Sequence, residues 1–151
     1  MKAVLQRVSS AQVEIDGAVQ GKIQQGLMVL LGVVDGDGVD EADLLAEKTA
    51  NLRIFSDENG KMNRSLLDIG GGMLVVSNFT LCADVRHGRR PSFTGSAKPE
   101  TANALYERFI AAVKDTGVKP VESGVFGADM AVTIVNDGPV TLILDTDTWK
   151  A

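Results

Sequence analysis

Val13-Glu14-Ile15-Asp16-Gly17-Ala18-Val19 alternates apolar and polar residues up to Asp16-Gly17 and resumes beyond it. Asp-Gly between two such arms is the strongest short signal for a β-hairpin, because both central positions of the tight turn take positive φ. The N-terminal segment is therefore expected to fold back on itself. Downstream, residues 27–34 are almost entirely apolar and lie between Gly26 and Gly36. Such a run reads as a strand covered on both faces, since a half-exposed strand would alternate. The sheet is expected to be layered.

Two helices are expected among the strands. Asp40 and Asp43 mark an acidic helix start, and Ala42, Leu45, Thr49 and Leu52 recur at helical spacing, giving a helix over roughly residues 40–52. Pro99 suits a first helical position and Glu100 complements the helix dipole; Ala102, Leu105, Tyr106, Phe109 and Val113 then form one apolar stripe before Gly117. Residues 73–76 read as a buried strand leading into Ser77-Asn78-Phe79-Thr80-Leu81. Residues 131–135 and 140–144 read as two further strands flanking Gly138-Pro139. Hairpin signals without regular strand–helix–strand alternation favour an α+β fold over a doubly wound one. The expected architecture is a mostly antiparallel, curled or barrel-like sheet of roughly six to eight strands with two helices.

A chain of 151 residues fits a single domain, 1–151, with one core. Hydrophobic residues at 44% and charged residues at 23% are ordinary for a globular protein, and no apolar stretch approaches the roughly 20 residues of a membrane span. Met1-Lys2-Ala3-Val4-Leu5-Gln6-Arg7-Val8 alternates where a signal peptide would be uninterrupted, so a cytoplasmic location is expected. The single cysteine, Cys82, excludes an internal disulfide and a multi-cysteine zinc site. With one histidine, His87, neither metal nor cofactor is expected. A net charge of −5 argues against a protein that coats nucleic acid non-specifically. Arg86, Arg89 and Arg90, with His87 among them and Lys98 nearby, form a basic cluster that reads either as a solvated loop or as a local phosphate contact.

Ser77, Thr80 and Cys82 are the nucleophile candidates, crowded where a buried strand ends. A hydroxyl nucleophile needs a nearby base held by a third group. His87, the one imidazole, sits instead in the basic loop. Main-chain N–H groups around Phe79 and Thr80 are then the better candidates, able to hold a developing oxyanion at about 3–4 kcal/mol per well-placed donor. In the competing structural reading Ser77 and Thr80 cap a strand while Phe79 fills the core. Gly138-Pro139 carries a similar pair of readings. Proline cannot donate to a sheet ladder, so it marks an edge, a bulge or a turn that presents bare main chain, or simply an ordinary hairpin turn.

Taken together these residues resemble the D-aminoacyl-tRNA deacylase family. The similarity runs through Ala3-Val4-Leu5-Gln6-Arg7-Val8, Asn51-Leu52-Arg53-Ile54-Phe55, Gly88-Arg89-Arg90-Pro91-Ser92-Phe93, Phe126-Gly127-Ala128-Asp129-Met130 and Asn136-Asp137-Gly138-Pro139-Val140-Thr141, in that order. The resemblance implies a homodimeric enzyme that hydrolyses the ester joining a D-amino acid to the terminal adenosine of tRNA and rejects the L form. It also implies that the site lies across the dimer interface. Ser77-Asn78-Phe79-Thr80-Leu81 matches the family's pocket-floor motif, in which the threonine, here Thr80, has been read first as a nucleophile and then as acting mainly through its backbone. Gly138-Pro139 matches a cis dipeptide inserted from the opposite subunit to bind substrate. Asn78 departs from the usual glutamine, shortening the side chain by one carbon, about 1.5 Å.

Two expectations extend this. A site that works by exclusion should also admit glycyl-tRNA, and Arg86, Arg89, Arg90 and Lys98 should meet phosphates at the aminoacylated 3′ end of the tRNA. The competing functions are a small acyl-ester hydrolase with Thr80 or Cys82 as nucleophile, and a non-catalytic dimerising β-domain.

Overall fold

In the computed structural model, which describes residues 1–150, the chain runs through β1 (Lys2–Ile15), β2 (Ala18–Ile23), β3 (Gly26–Gly32), α1 (Val39–Asn51), β4 (Phe55–Ser56) and β5 (Met62–Arg64). It continues through α2 (Leu66–Ile69), β6 (Gly72–Ser77), α3 (Pro99–Thr116), β7 (Val121–Ser123) and β8 (Ala131–Asp145). Short 3₁₀ turns occupy Phe79–Cys82 and Thr146–Trp149.

The Asp16-Gly17 hairpin forms as its sequence dictates, with φ of 51° at Asp16 and 79° at Gly17 closing a two-residue loop between Ile15 and Ala18. β2 and β3 together are the returning arm: Ala11 pairs with Ile23 and Val8 with Gly26 on the same antiparallel register. β8 covers the other edge of β1 along its whole length. Beyond β3 the sheet continues in parallel through β6 and then β7. Parallel neighbours cannot be joined by a tight turn. The β3–β6 connection accordingly carries α1, and the β6–β7 connection carries α3.

The sheet curls until its ends approach, since a Cβ added at Gly21 of β2 would lie 3.2 Å from the Ser123 carbonyl oxygen of β7. This is the expected α+β, mostly antiparallel, barrel-like architecture. Its parallel strands and the one-turn helix α2 are additions that the hairpin signals did not announce. α2 is held locally: Ser65 Oγ accepts from the Asp68 N–H at 3.1 Å, and Asp68 Oδ2 accepts from the Ser65 N–H at 2.9 Å.

β3 explains why its sequence does not alternate. Leu27, Val29 and Leu31 face the core under α1 and α3, whereas Met28 faces a second cluster with Val8, Val13, Ile23, Leu74 and Val76 inside the curl. α3 brings Ala102, Leu105, Tyr106, Phe109 and Val113 to the sheet, as its stripe requires, and ends at Gly117 with φ 104°. α1 starts differently from the sequence reading. Glu41 Oε2 accepts the Gly38 N–H at 2.7 Å, while Asp43 makes a bidentate pair with Arg108 of α3 at 2.8 and 2.9 Å.

The two strands expected on either side of a Gly138-Pro139 turn are one strand. Gln6 faces Thr141 and Val8 faces Asn136, so residues 137–140 stand opposite Arg7 alone. The chain leaves the ladder and rejoins it in the same direction. An ordinary hairpin turn is thereby ruled out: both halves pair with the same neighbour, so the proline sits in an outward excursion where no ladder N–H is needed.

Candidate functional site

β6 ends at Ser77, and Asn78 makes one last ladder bond by donating its N–H to the Leu31 carbonyl at 2.8 Å. The chain then tightens into the 3₁₀ turn Phe79–Cys82, in which the Leu81 N–H reaches the Asn78 carbonyl at 3.3 Å. Phe79 and Thr80 open this turn, so their N–H groups precede any intrahelical acceptor. Neither meets another acceptor among the described residues. Phe79 is 54% exposed and stands edge-on to Phe93, ring centroids 5.0 Å apart. It does not fill the core, contrary to the competing structural reading.

Ser77, Asn78 and Phe79 floor a cavity of about 680 Å³. Phe93 and the start of α3 form one wall, and Phe126–Met130 forms another. The Phe93 wall is tied to the end of β3, where Ala97 N–H donates to the Val33 carbonyl at 3.0 Å and Asp35 N–H to the Gly95 carbonyl at 2.9 Å. Lys98 and Asp129 are the charged side chains that line the space, and no histidine does. The Thr80 hydroxyl donates to Asn78 Oδ1 and is not part of the lining. Cys82 lies buried behind the turn with Sγ 3.5 Å from the Val33 carbonyl, and burial pushes its thiol pKa up. A buried thiol held protonated is not a nucleophile.

His87, Arg89 and Arg90 project from an exposed loop whose base is closed by paired hydrogen bonds between Asp84 and Ser92, at 2.8 and 2.9 Å. Arg86 belongs to the same loop, but its guanidinium is held by Asp84 at 2.6 and 2.9 Å. That contact lowers the Asp84 pKa to about 2 and raises that of Arg86. Among the described residues, the cations of the cluster left without an ion-pair partner are therefore Arg89, Arg90 and, at the cleft, Lys98.

Gly138 and Pro139 are not in this cavity. Ser77 pairs through Leu31 with Ala3 and thus with Leu144, which lies five residues along β8 from Pro139. Because the excursion stands opposite Arg7, four residues along β1 from Ala3, three strand spacings and four residue rises put the two motifs about 20 Å apart across the sheet. The excursion is nevertheless built, not loose. Asn136 Nδ2 donates to the Arg7 carbonyl at 2.9 Å and to the Val140 carbonyl at 3.2 Å, spanning its mouth. Arg7 Nε donates to the Asp137 carbonyl at 3.0 Å, and its other arm to the Ile54 carbonyl at 2.8 Å. The Gly138-Pro139 peptide is cis, and a Cβ at Gly138 would fall 2.1 Å from the Val140 nitrogen.

Arg7, Asn136 and Ile54 lie in stretches that carried the family resemblance, yet no role followed from their residue types. The same holds for Phe93 and for Phe126–Met130. Apolar or backbone-braced residues of this kind leave no chemical signature in one sequence.

A family model described as D-Tyr-tRNA(Tyr) deacylase matches residues 4–145. A D-aminoacyl-tRNA deacylase of Thermosipho africanus is 58% identical over 97% of each chain. One of Roseiflexus castenholzii is 59% identical over 99% of this chain and 95% of its own. A solved structure described as c-Myc DNA unwinding element binding protein superposes with a TM-score of 0.90 at 40% identity, covering 96% of this chain and 98% of that one. A second, described as a probable eukaryotic D-amino acid tRNA deacylase, gives 0.83 at 17% identity over 95% and 97%, a likeness of fold. With the family match spanning nearly the whole chain and relatives above one-half identity, this protein belongs to the D-Tyr-tRNA(Tyr) deacylase family.

Proposed function

We propose that this hydrolase cleaves the ester between a D-amino acid and the 3′-terminal adenosine of tRNA, in the cytoplasm, as a homodimer with shared active sites. The observation that carries the reading is the pair of unpartnered N–H groups at Phe79 and Thr80 beside a cavity that holds no histidine. A donor pair of that kind suits an ester carbonyl whose oxygen gains charge as water attacks. In place of a protein base, the ribose 2′-hydroxyl next to the ester assists the attacking water, which can pass its proton through that hydroxyl to the departing 3′-oxygen. The names of the relatives at 58% and 59% identity support the same substrate class.

Chirality needs a third point of contact, because D and L esters contain the same atoms. The braced excursion at Gly138-Pro139 offers main chain on a surface remote from its own cavity, so a second copy of the chain brings it to the site. Carbonyl oxygens near Gly138 and Pro139 receive the substrate amino group, and an L side chain is then directed against main chain. Selectivity arises by exclusion. Glycine, which has no side chain to exclude, is hydrolysed as well. Arg89, Arg90 and Lys98 meet phosphates of the acceptor end, with Arg86 kept in place by Asp84.

The test is deacylation of matched D-, L- and glycyl-tRNA by wild type and Thr80→Ala, with a 2′-deoxy terminal adenosine as the substrate control. Hydrolysis of D and glycyl esters, little loss in Thr80→Ala and a large loss with the 2′-deoxy substrate are expected. A wild type that leaves D-aminoacyl-tRNA intact overturns the function. Loss confined to Thr80→Ala restores its hydroxyl as nucleophile.

A further inference from the structure

The Phe126–Met130 wall of the cavity belongs to no regular element, yet it must hold its place against the Ser77–Phe79 floor. Its support comes from α3. Tyr106 is 4% exposed, and its hydroxyl donates to the Val75 carbonyl at 2.9 Å, with the Gly124 carbonyl 3.5 Å away. Val75 lies two residues before Ser77 on β6, and its carbonyl also receives the Gly124 N–H at 3.1 Å. One buried oxygen thus sits where the strand that becomes the floor meets the segment that becomes the wall. The Tyr106 ring also lies against Phe126, centroids 6.2 Å apart and tilted by 44°.

Past Gly124 the wall is a tight turn, with Ala128 N–H bonded to the Val125 carbonyl at 3.2 Å and Gly127 at φ 78°. Met130 folds back over the turn, its sulfur 2.5 Å from where a Gly124 Cβ would stand. Between β7 and β8, the hydrogen bond that ties this turn to β6 among the described residues is the one from the Gly124 N–H to the Val75 carbonyl, and Tyr106 shares its acceptor.

We infer that Tyr106 is a positioning residue that sets the gap between the Phe126–Met130 wall and the Ser77–Phe79 floor, and hence the fit of the part of the substrate remote from the ester. The inference rests on the proposed deacylase reading for its kinetic consequence. With the reacting carbonyl held at the Phe79 and Thr80 N–H groups, as the proposed reading has it, loosening the opposite wall removes binding shared by ground state and transition state. Tyr106→Phe keeps the ring and removes the hydroxyl. Val75 retains the Gly124 N–H as a partner, so the variant is expected to fold.

In steady-state deacylation of D-aminoacyl-tRNA, Tyr106→Phe should raise KM about fivefold while kcat stays within about twofold. A residue that only stabilised the fold would lower the active fraction, cutting apparent kcat at unchanged KM. That result, or no change in either constant, overturns the inference. Hydrogen exchange of the same variant needs no substrate and separates this idea from the function it rests on. The peptide covering residues 121–131 should exchange at least about threefold faster while peptides from α1 keep wild-type rates. Unaltered exchange in 121–131 refutes the positioning role, whereas an inactive wild type with the expected exchange change refutes the deacylase reading alone.

Discussion

Asp84 and Gly138 are single residues whose surroundings decide their behaviour. The Arg86 guanidinium and N–H hold the Asp84 carboxyl at a pKa of about 2, below its ordinary 3.8. A depressed carboxylate contributes while it is charged, so the pair survives as pH falls through the ordinary carboxylate range and is lost only as pH approaches 2. Carboxyl carbon NMR should place the Asp84 midpoint there, and Arg86→Gln should return it toward 3.8. At Gly138 the constraint is steric. An added methyl meets the Val140 nitrogen and Asn136 Oδ1, at 2.1 and 2.7 Å, so the main chain itself must shift. Gly138→Ala should destabilise by about 1–3 kcal/mol in urea unfolding. Displacing the excursion by about 1 Å should cost on the order of a hundredfold in deacylation of D-aminoacyl-tRNA. Wild-type kinetics in that variant would separate the excursion from the chemistry.

Among elements, β8 is the one that the sequence reading divided. Its two halves looked like partners across a turn because Gly and Pro usually mark one. Both halves are instead held by β1, and what replaces the turn is side-chain bracing from Arg7 and Asn136. Arg7 bridges the Asp137 and Ile54 carbonyls with two arms of one planar group, and its side chain is 13% exposed. Lysine keeps the charge and loses the fork. Arg7→Lys should lower kcat/KM for D-aminoacyl-tRNA about tenfold or more, in line with the roughly 1.5–3 kcal/mol of a hydrogen bond to a charged group. An unchanged kcat/KM would make the bracing incidental. The two long helices were legible because each writes its apolar face at a fixed period, and α3 adds proline and glycine at its ends. α2 was not legible, since a single turn is too short to show a period.

At the scale of the whole molecule, β8 has one paired edge and, among the described residues, one free edge over a strand of 15 residues. Long free edges are normally blunted or covered. Ile143 is 81% exposed and Val135 49%, so the same strand also offers apolar surface to a partner. Under the homodimer reading, Ile143→Lys should shift the protein toward monomer in size-exclusion chromatography with light scattering, and deacylation should fall as the enzyme is diluted. A variant that stays dimeric and active would place the interface elsewhere.

Sequence alone determined the hairpin at Asp16-Gly17, the doubly covered β3 and the apolar faces of α1 and α3. These depend on neighbours a few residues apart, where turn geometry and periodicity act directly. It also carried the family resemblance and the candidate residues Ser77–Thr80 and Gly138-Pro139. Tertiary structure alone decided that β8 is continuous, that Cys82 lies behind the 3₁₀ turn and that Arg86 is occupied by Asp84. It also placed the two motifs on separate parts of one sheet. Those facts depend on which strands lie side by side and on which backbone groups remain unpaired after folding, and residues distant along the chain set both.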